Sequence, residues 1–209
     1  EFLEVAIHYI LYIRSVYPAE LFSPRRKYNV PVRMSRHPVL NGYIRDVLSG
    51  LTPDLQRGTV SKLYLVIHDP RTKQPYEKFT FQIRTLTEGL SESMLKNAES
   101  SIGVGDVERH LRAFLLKISV CDALLAPNPP DAAFAILVEL SEEAKGPVNE
   151  LAKAAPWIPS DPGQVDVSAA AIVPLKTMDA GILKMQLYVE ESAEKGEARD
   201  VDLGSGSGG

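Results

Sequence analysis

Cysteine is almost missing from this sequence. Only Cys121 among the 209 residues carries a thiol, so no intrachain disulfide can form. Chains without disulfides are typical of reducing compartments, which favours an intracellular protein. Long apolar runs are missing as well, because the longest one, within residues 5–13, is interrupted by His8 and is too short to span a bilayer. No secretory signal pattern opens the chain, and we expect no membrane partner.

The sequence also lacks an excess of basic residues. It has 23 Lys and Arg residues against 27 Asp and Glu residues, a net charge of −4. Proteins that bind mainly to the phosphate backbone usually carry a basic excess, so we expect no direct nucleic-acid partner and only weak mobility-shift activity. The short basic run Arg25–Lys27 is predicted to be a solvated loop.

Motifs of catalysis and cofactor binding are missing too. There is no phosphate-binding loop and no nucleophile elbow, and the glycines at 103 and 105 are followed by Glu108 where a dinucleotide fingerprint needs glycine. The four histidines are scattered without metal-ligand spacing, so neither a metal nor a cofactor is expected. The sequence therefore favours a binding protein over an enzyme.

Two features could still support an enzyme. The pair His68–Asp69 could be catalytic, but a strand that ends in an Asp-Pro turn explains it better. Cys121 lies on an apolar helical stripe, which indicates a small buried side chain rather than a nucleophile. An unrecognised enzyme that depends on His68 remains an alternative.

Periodic apolar residues predict three helices. The first covers residues 2–17, is apolar nearly all round and therefore central, and ends at Pro18. The second follows Pro38 and buries one stripe from Leu40 to Leu51. The third covers 107–125 with Asp106 as its cap. Its two apolar sides predict contacts in two directions, the second side carrying Ala113, Leu116, Val120 and Leu124.

Alternating and extended stretches predict strands at 62–68, 78–84, 132–140, 165–174 and 182–190. The turn-rich residues 69–75 predict an antiparallel hairpin between the first two strands. Because helices and strands do not alternate regularly, the sequence predicts an α+β fold. Residues 86–105 are predicted to form a mobile loop, and 193–209 a disordered tail that ends in a Gly/Ser linker.

Several runs of residues resemble a known family, the HORMA-domain accessory subunits of DNA polymerase zeta. The resemblance covers residues 1 to about 192 and departs from the family pattern at 86–105 and 142–155. The runs that carry it are Arg25–Val32, His37–Ile44, Leu111–Ala123, Pro156–Ile158, Ile172–Met178 and Ile182–Glu190.

This resemblance implies a HORMA fold, with three central helices packed on an antiparallel sheet. It implies a single domain over 1–192, with a core of about 1–150 and a C-terminal safety belt of about 151–192. The implied function is that of a non-catalytic adaptor in translesion DNA synthesis. Such an adaptor traps a proline-containing peptide of the polymerase zeta catalytic subunit under its belt. It also binds the C-terminal domain of the Y-family deoxycytidyl transferase. The implied location is the nucleus, with the cytoplasm as a second location.

The resemblance also assigns roles to individual residues. Tyr43 and Trp157 match the positions that hold the catalytic-subunit peptide. From the sequence alone, a core-filling ring is the favoured interpretation of Trp157, and Tyr43 has a similar alternative because it lies on the buried stripe of its helix. Ile172, Gln186 and Tyr188 match the surface for the scaffold polymerase, where the family usually has leucine at the first position. Gln186 and Tyr188 are two residues apart and share one face of a strand.

Three residues of the third helix match a contact between HORMA proteins. Arg112, Lys117 and Ala123 correspond to positions used for homodimerisation or for contact with other HORMA proteins. A solvated charge beside a second packed layer is the alternative for Arg112. HORMA adaptors of the spindle checkpoint, the meiotic axis or shieldin-type double-strand-break repair are alternatives for the whole chain.

Overall fold

The computed structural model describes residues 1–85, 104–141, 160–181 and 183–195 of the chain. Trp157, most of the predicted 86–105 loop, the 142–155 segment and the tail beyond residue 195 lie outside the described residues. Among the described residues, no helix is long and apolar enough to cross a membrane.

The described residues contain three α-helices and seven strands. The helices are α1 (Phe2–Ile13), α2 (Pro38–Arg57) and α3 (Val104–Val120). The strands are β1 (Phe22–Lys27), β2 (Val30–Ser35), β3 (Val60–His68), β4 (Pro75–Thr85), β5 (Ala133–Leu140), β6 (Ala171–Asp179) and β7 (Leu183–Glu191). Short 3-10 turns occupy Ala19–Leu21, Cys121–Leu124 and Pro162–Gln164.

Five strands form one antiparallel sheet in the order β5-β3-β4-β7-β6. β1 and β2 form a separate hairpin. The predicted α+β class and the predicted hairpin between β3 and β4 are confirmed. β5 and the next described strand in the chain, β6, lie at opposite edges of the sheet, so the intervening chain has to pass from one edge to the other.

Alternation along the strands separates the two faces of the sheet. Leu63, Leu65, Phe79, Phe81 and Leu187 are fully buried on the face that packs against the helices. Each such side chain stabilises the fold by about 1.5–3 kcal/mol through burial. α1 contributes Ile7, Ile10 and Leu11 to the same core, as its all-round apolar sequence predicts.

The helix boundaries differ from the predicted ones. α1 ends at Ile13, before Pro18, because Ser15 takes a left-handed conformation with φ 51°. α2 continues past Leu51 and through Pro53, which lies on its exposed side, and it ends at Gly58 with φ 72°. Asp106 lies inside α3 rather than capping it.

The strand predictions need two corrections. Arg25–Lys27 belongs to β1 and not to a loop, because Phe22 of β1 and Val30 and Val32 of β2 are buried and fix the hairpin on the core. The stretch predicted at 165–174 is instead β6, which starts at Ala171 and continues through Pro174. Proline is accepted there because β6 is an edge strand.

The described residues continue to Lys195, beyond the domain boundary predicted at residue 192. The backbone N–H of Ser192 donates to the carbonyl oxygen of Tyr76, and Lys195 is only 3% exposed. Its ammonium group binds the buried carboxylate of Glu77, whose two oxygens share the Nε–H of Arg14 in a bifurcated hydrogen bond at 3.0 and 3.1 Å. Lys195 also pairs with Glu191 at 3.0 Å. This ionic cluster joins the ends of α1, β4 and β7.

Candidate functional site

The outer edge of β5 is open within the described part of the chain. β5 pairs with β3 along its inner side, from Val60–Leu140 to His68–Ala133. No described strand pairs with its other side. An open edge presents unpaired backbone N–H and C=O groups, which an extended peptide can use to join the sheet.

An aromatic cluster lies next to this edge. The ring of Phe134, near the start of β5, is 5.8 Å from the Tyr43 ring and 6.2 Å from the Tyr17 ring, both in edge-to-face contact. Burial raises the pKa of the Tyr17 phenol, with a smaller contribution from Tyr43. Tyr43 itself is 43% exposed, so its ring is not the core-filling ring that its place on the apolar stripe would allow. An exposed aromatic ring beside an extended backbone suits a proline-containing peptide.

A cleft lies on the other face of the sheet near β5. Its volume is about 220 Å³, and its lining includes Val66 and His68 of β3, Ala135 and Leu137 of β5, and Gln164. Gln164 belongs to residues 160–170, here called the crossing segment. The cleft therefore lies between this segment and the sheet.

The crossing segment runs over the sheet from β5 towards β6. Gln164 lies by β5, the carbonyl of Val165 accepts a hydrogen bond from Lys78 of β4 at 2.7 Å, and Ala171 begins β6 at the opposite edge. Residues 160–170 fall within the belt predicted over about 151–192, and their role as a belt stays a prediction. Trp157, the second predicted peptide-binding residue, lies outside the described residues.

Sequence reasoning missed Tyr17, Phe134 and Lys78. Tyr17 and Phe134 are distant in sequence and meet only because β5 is placed beside the end of α1 and the start of α2. The position of Lys78 on an alternating strand indicates only that its side chain faces away from Phe79. No pattern in the sequence could have shown that this face is covered.

The three residues predicted to bind the scaffold polymerase lie together on the sheet face away from the helices. Ile172 of β6 is paired with Glu190, and Tyr188 and Gln186 of β7 are paired with Pro174 and Thr177. Ile172 is 64% exposed. The structure thus brings these residues to one surface, at the edge opposite β5; their role in binding stays a prediction.

The three residues predicted for contact between HORMA proteins lie on α3 and on the 3-10 turn that follows it. Arg112, Lys117 and Ala123 are exposed. The prediction that α3 is packed on two sides is wrong for the described chain, because Leu116, Val120 and Leu124 are 46–57% exposed. Its main stripe, which includes Phe114 and Ile118, fills the core instead. We use the name α3 face for the exposed side of α3 and of the following 3-10 turn, which consists of Arg112, Leu116, Lys117, Val120, Ala123 and Leu124.

The two candidate catalytic features are structural. The Asp69 carboxylate accepts hydrogen bonds from the backbone N–H groups of Thr72 and Arg71, which together with Tyr76 lower its pKa to about 2. Nδ1 of His68 lies 2.8 Å from the carbonyl oxygen of Asp69 and not against the carboxylate. Burial raises the pKa of Cys121 to about 12, so its thiol is un-ionised and shielded. The described residues contain no group of three side chains that could hold a metal.

Comparison with known proteins adds a family match. A family model described as "HORMA domain" matches residues 1–137. The chain is 48% identical over 198 residues to the Homo sapiens "Mitotic spindle assembly checkpoint protein MAD2B". The match covers 94% of this chain and 90% of that protein. It is 32% identical over 190 residues to the Arabidopsis thaliana "DNA polymerase zeta processivity subunit", and this match covers 91% of this chain and 82% of that protein.

Solved structures show the same fold at low sequence identity. One chain of the "Crystal Structure of Mitotic Checkpoint Complex" matches with a TM-score of 0.71 and 23% identity, over 92% of this chain and 95% of that one. "Structure of C. elegans HTP-2 bound to HIM-3 closure motif" matches with a TM-score of 0.69 and 12% identity, over 92% and 87%.

Proposed function

Because this chain belongs to the HORMA domain family, as its sequence predicted, we propose that it is a non-catalytic adaptor of translesion DNA synthesis. The adaptor traps a proline-containing peptide of the polymerase zeta catalytic subunit under its belt. Two findings support this. A relative that is 32% identical is named as a processivity subunit of DNA polymerase zeta. A structural neighbour is described as bound to a closure motif.

The observation that carries the proposal is the open β5 edge beside the exposed Tyr43 ring. A peptide added to β5 gains backbone hydrogen bonds, and its alternate side chains reach the aromatic cluster on one face. Proline residues suit such a site because they are already extended and lose little entropy on ordering. Since the crossing segment closes over the sheet, the peptide leaves only when the belt opens, and dissociation is slow.

A second partner would bind at the far edge. The surface formed by Ile172, Gln186 and Tyr188 lies on β6 and β7, up to four strand spacings, roughly 19 Å, from β5. The C-terminal domain of the Y-family deoxycytidyl transferase is the partner we assign to this surface. Two separate edges allow both partners to bind at once, which is what bridging requires. We place this assembly in the nucleus.

A reciprocal binding experiment tests both surfaces. A peptide with spaced prolines and the transferase domain are each measured against the full chain and its variants by surface plasmon resonance. Tyr43→Ala and Trp157→Ala should each raise the peptide dissociation rate about 30-fold, the effect of truncating an aromatic anchor. Neither should change binding of the transferase domain. Ile172→Asp should weaken binding of the transferase domain and leave the peptide dissociation rate unchanged.

Arg45→Ala is the matched control, because Arg45 is exposed on α2 and points away from Tyr43. Fast, weak peptide binding that neither aromatic substitution changes would contradict the proposal.

A spindle-checkpoint function is the second candidate, because a relative 48% identical is named as a checkpoint protein. Checkpoint-type ligands lack the spaced prolines, so tighter binding of a proline-free ligand would favour this candidate. Meiotic-axis and shieldin-type repair functions would use the same edge with other peptides.

A further inference from the structure

Lys78 of β4 is a cation enclosed between the sheet and the crossing segment. Its residue is 7% exposed, on the sheet face away from the helices. Its ammonium group lies 2.9 Å from the Glu190 carboxylate of β7 and 5.5 Å from the centre of the Tyr64 ring of β3. It donates to the Val165 carbonyl at 2.7 Å. Three strands thus hold this group in place against the backbone of the crossing segment.

The crossing segment has few other contacts that could hold it. Its described side chains are exposed or half-buried, so apolar burial contributes little. Among the described residues, the bond from Lys78 to Val165 is the one hydrogen bond that joins the segment to the sheet. A bond from a charged donor, shielded from water, is stronger than a neutral or exposed one.

We propose that Lys78 is a positioning residue that fastens the belt at the Val165 carbonyl and thereby sets how slowly a trapped peptide dissociates. Glu190 and Tyr64 orient the ammonium group and compensate its charge, so the group stays in place when the belt is open. The second half of this inference rests on the proposed function, because it needs a trapped peptide. The first half, the fastening of residues 160–170, does not.

The test replaces Lys78 with methionine, which keeps an unbranched stem and removes the donor. In hydrogen exchange without peptide, Lys78→Met should speed exchange of the amides in 160–170 about tenfold, with β3 and α1 unchanged. With the proline-containing peptide, its dissociation rate should rise about tenfold and its association rate should change less than threefold.

Lys62→Met is the matched control. Lys62 is on the neighbouring strand and pairs with Glu139 at 3.1 Å, but it does not touch the crossing segment. It should leave both measurements unchanged. Glu190→Gln keeps the Lys78 donor and removes its orienting charge, so it should give a smaller acceleration in 160–170. If Lys78→Met does not fold, Glu190→Gln takes its place as the test variant.

The outcomes separate the two proposals. Faster exchange in 160–170 with no peptide binding by the unsubstituted chain would support the fastening role and refute the trapping function. Slow peptide dissociation that neither Lys78→Met nor Glu190→Gln changes would refute the role of Lys78 and leave the function standing. Equal acceleration in α1, β3 and 160–170 would show general destabilisation and overturn the inference.

Discussion

His8 is a buried histidine on α1. It is 1% exposed, and neither ring nitrogen has a hydrogen-bond partner among the described residues. Burial lowers its pKa from the ordinary value, and the nearby Glu4 carboxylate opposes this only in part. The folded protein therefore holds His8 neutral, and protonation favours the unfolded chain.

This gives a pH dependence of stability with a definite sign. The unfolded chain binds a proton at His8 below about pH 6.5, while the folded chain does so only at lower pH. Above pH 6.5, His8 is neutral in both states and does not reduce the free energy of unfolding. As the pH falls from 6.5 to the folded-state pKa, the unfolded chain binds the proton first and the free energy of unfolding decreases. His8→Leu should reduce the fall in Tm between pH 7.5 and 5.5. The difference in Tm should be about 2–4 °C for each kcal/mol of unfolding free energy that the substitution restores.

The control for His8 is His110, whose Nδ1 lies 2.8 Å from the Asp106 carbonyl oxygen on α3. His110→Gln is the matched histidine substitution with which the pH dependence of Tm in His8→Leu is compared. Parallel pH profiles for the unsubstituted chain and His8→Leu would show that His8 is not the titrating group.

At the residue scale, the sequence predicts what depends on local spacing. Gln186 and Tyr188 share a face because side chains alternate on a strand, and the structure places them so. The contact of Tyr43 with Phe134 depends on how a helix and a distant strand pack together. No local pattern carries that information, so the aromatic cluster could not be predicted.

The ionic cluster at the ends of α1, β4 and β7 shows what elements do together. Glu77 is fully buried and is shared by Arg14 and Lys195, which are 2% and 3% exposed. The Lys195 ammonium group also donates to the Ala126 carbonyl at 2.7 Å. Lys195 follows β7 and can reach Glu77 of β4 only when β7 lies against β4. We therefore expect this contact to stabilise the C-terminal hairpin, formed by β6 and β7, on the rest of the sheet.

Lys195→Met should therefore destabilise the protein. We expect a loss of about 3 kcal/mol, the lower end for breaking a buried ion pair, because Arg14 still neutralises Glu77. Urea unfolding measures this loss. Lys184→Met is the control, since the pair of Lys184 with Asp179 at 2.8 Å is exposed, and exposed ion pairs contribute little to stability. Equal losses for the two variants would show that the cluster does not fasten the C-terminal hairpin.

At the element scale, periodicity predicts most helices and strands, but charge composition misleads twice. The basic residues 25–27 indicate a loop, and the polar residues after 192 indicate a disordered tail. In the structure, residues 25–27 belong to strand β1, because its hairpin with β2 is fixed on the core by the buried side chains of Phe22, Val30 and Val32. Lys195 is buried in an ion pair with Glu77. Both outcomes depend on partners elsewhere in the chain, which a local composition cannot show.

At the scale of the whole molecule, the described residues present three separate surfaces: the β5 edge, the β6–β7 face and the α3 face. The core takes up the stripe of α3 that includes Phe114, Leu115 and Ile118. The opposite side leaves Leu116, Val120 and Leu124 in solvent next to Arg112 and Lys117. A contiguous apolar patch with a charged border is typical of a protein–protein interface.

We therefore expect self-association through the α3 face, independent of the peptide site. Leu116→Glu should shift the chain towards monomer in sedimentation velocity over a concentration series, because a buried unpaired carboxylate in the interface is costly. Peptide binding should be unchanged. Val39→Glu is the control, since Val39 is 74% exposed but lies on α2. A chain that is monomeric at every concentration, or that associates equally well with Leu116→Glu, would show that the apolar side of α3 does not bind a second copy.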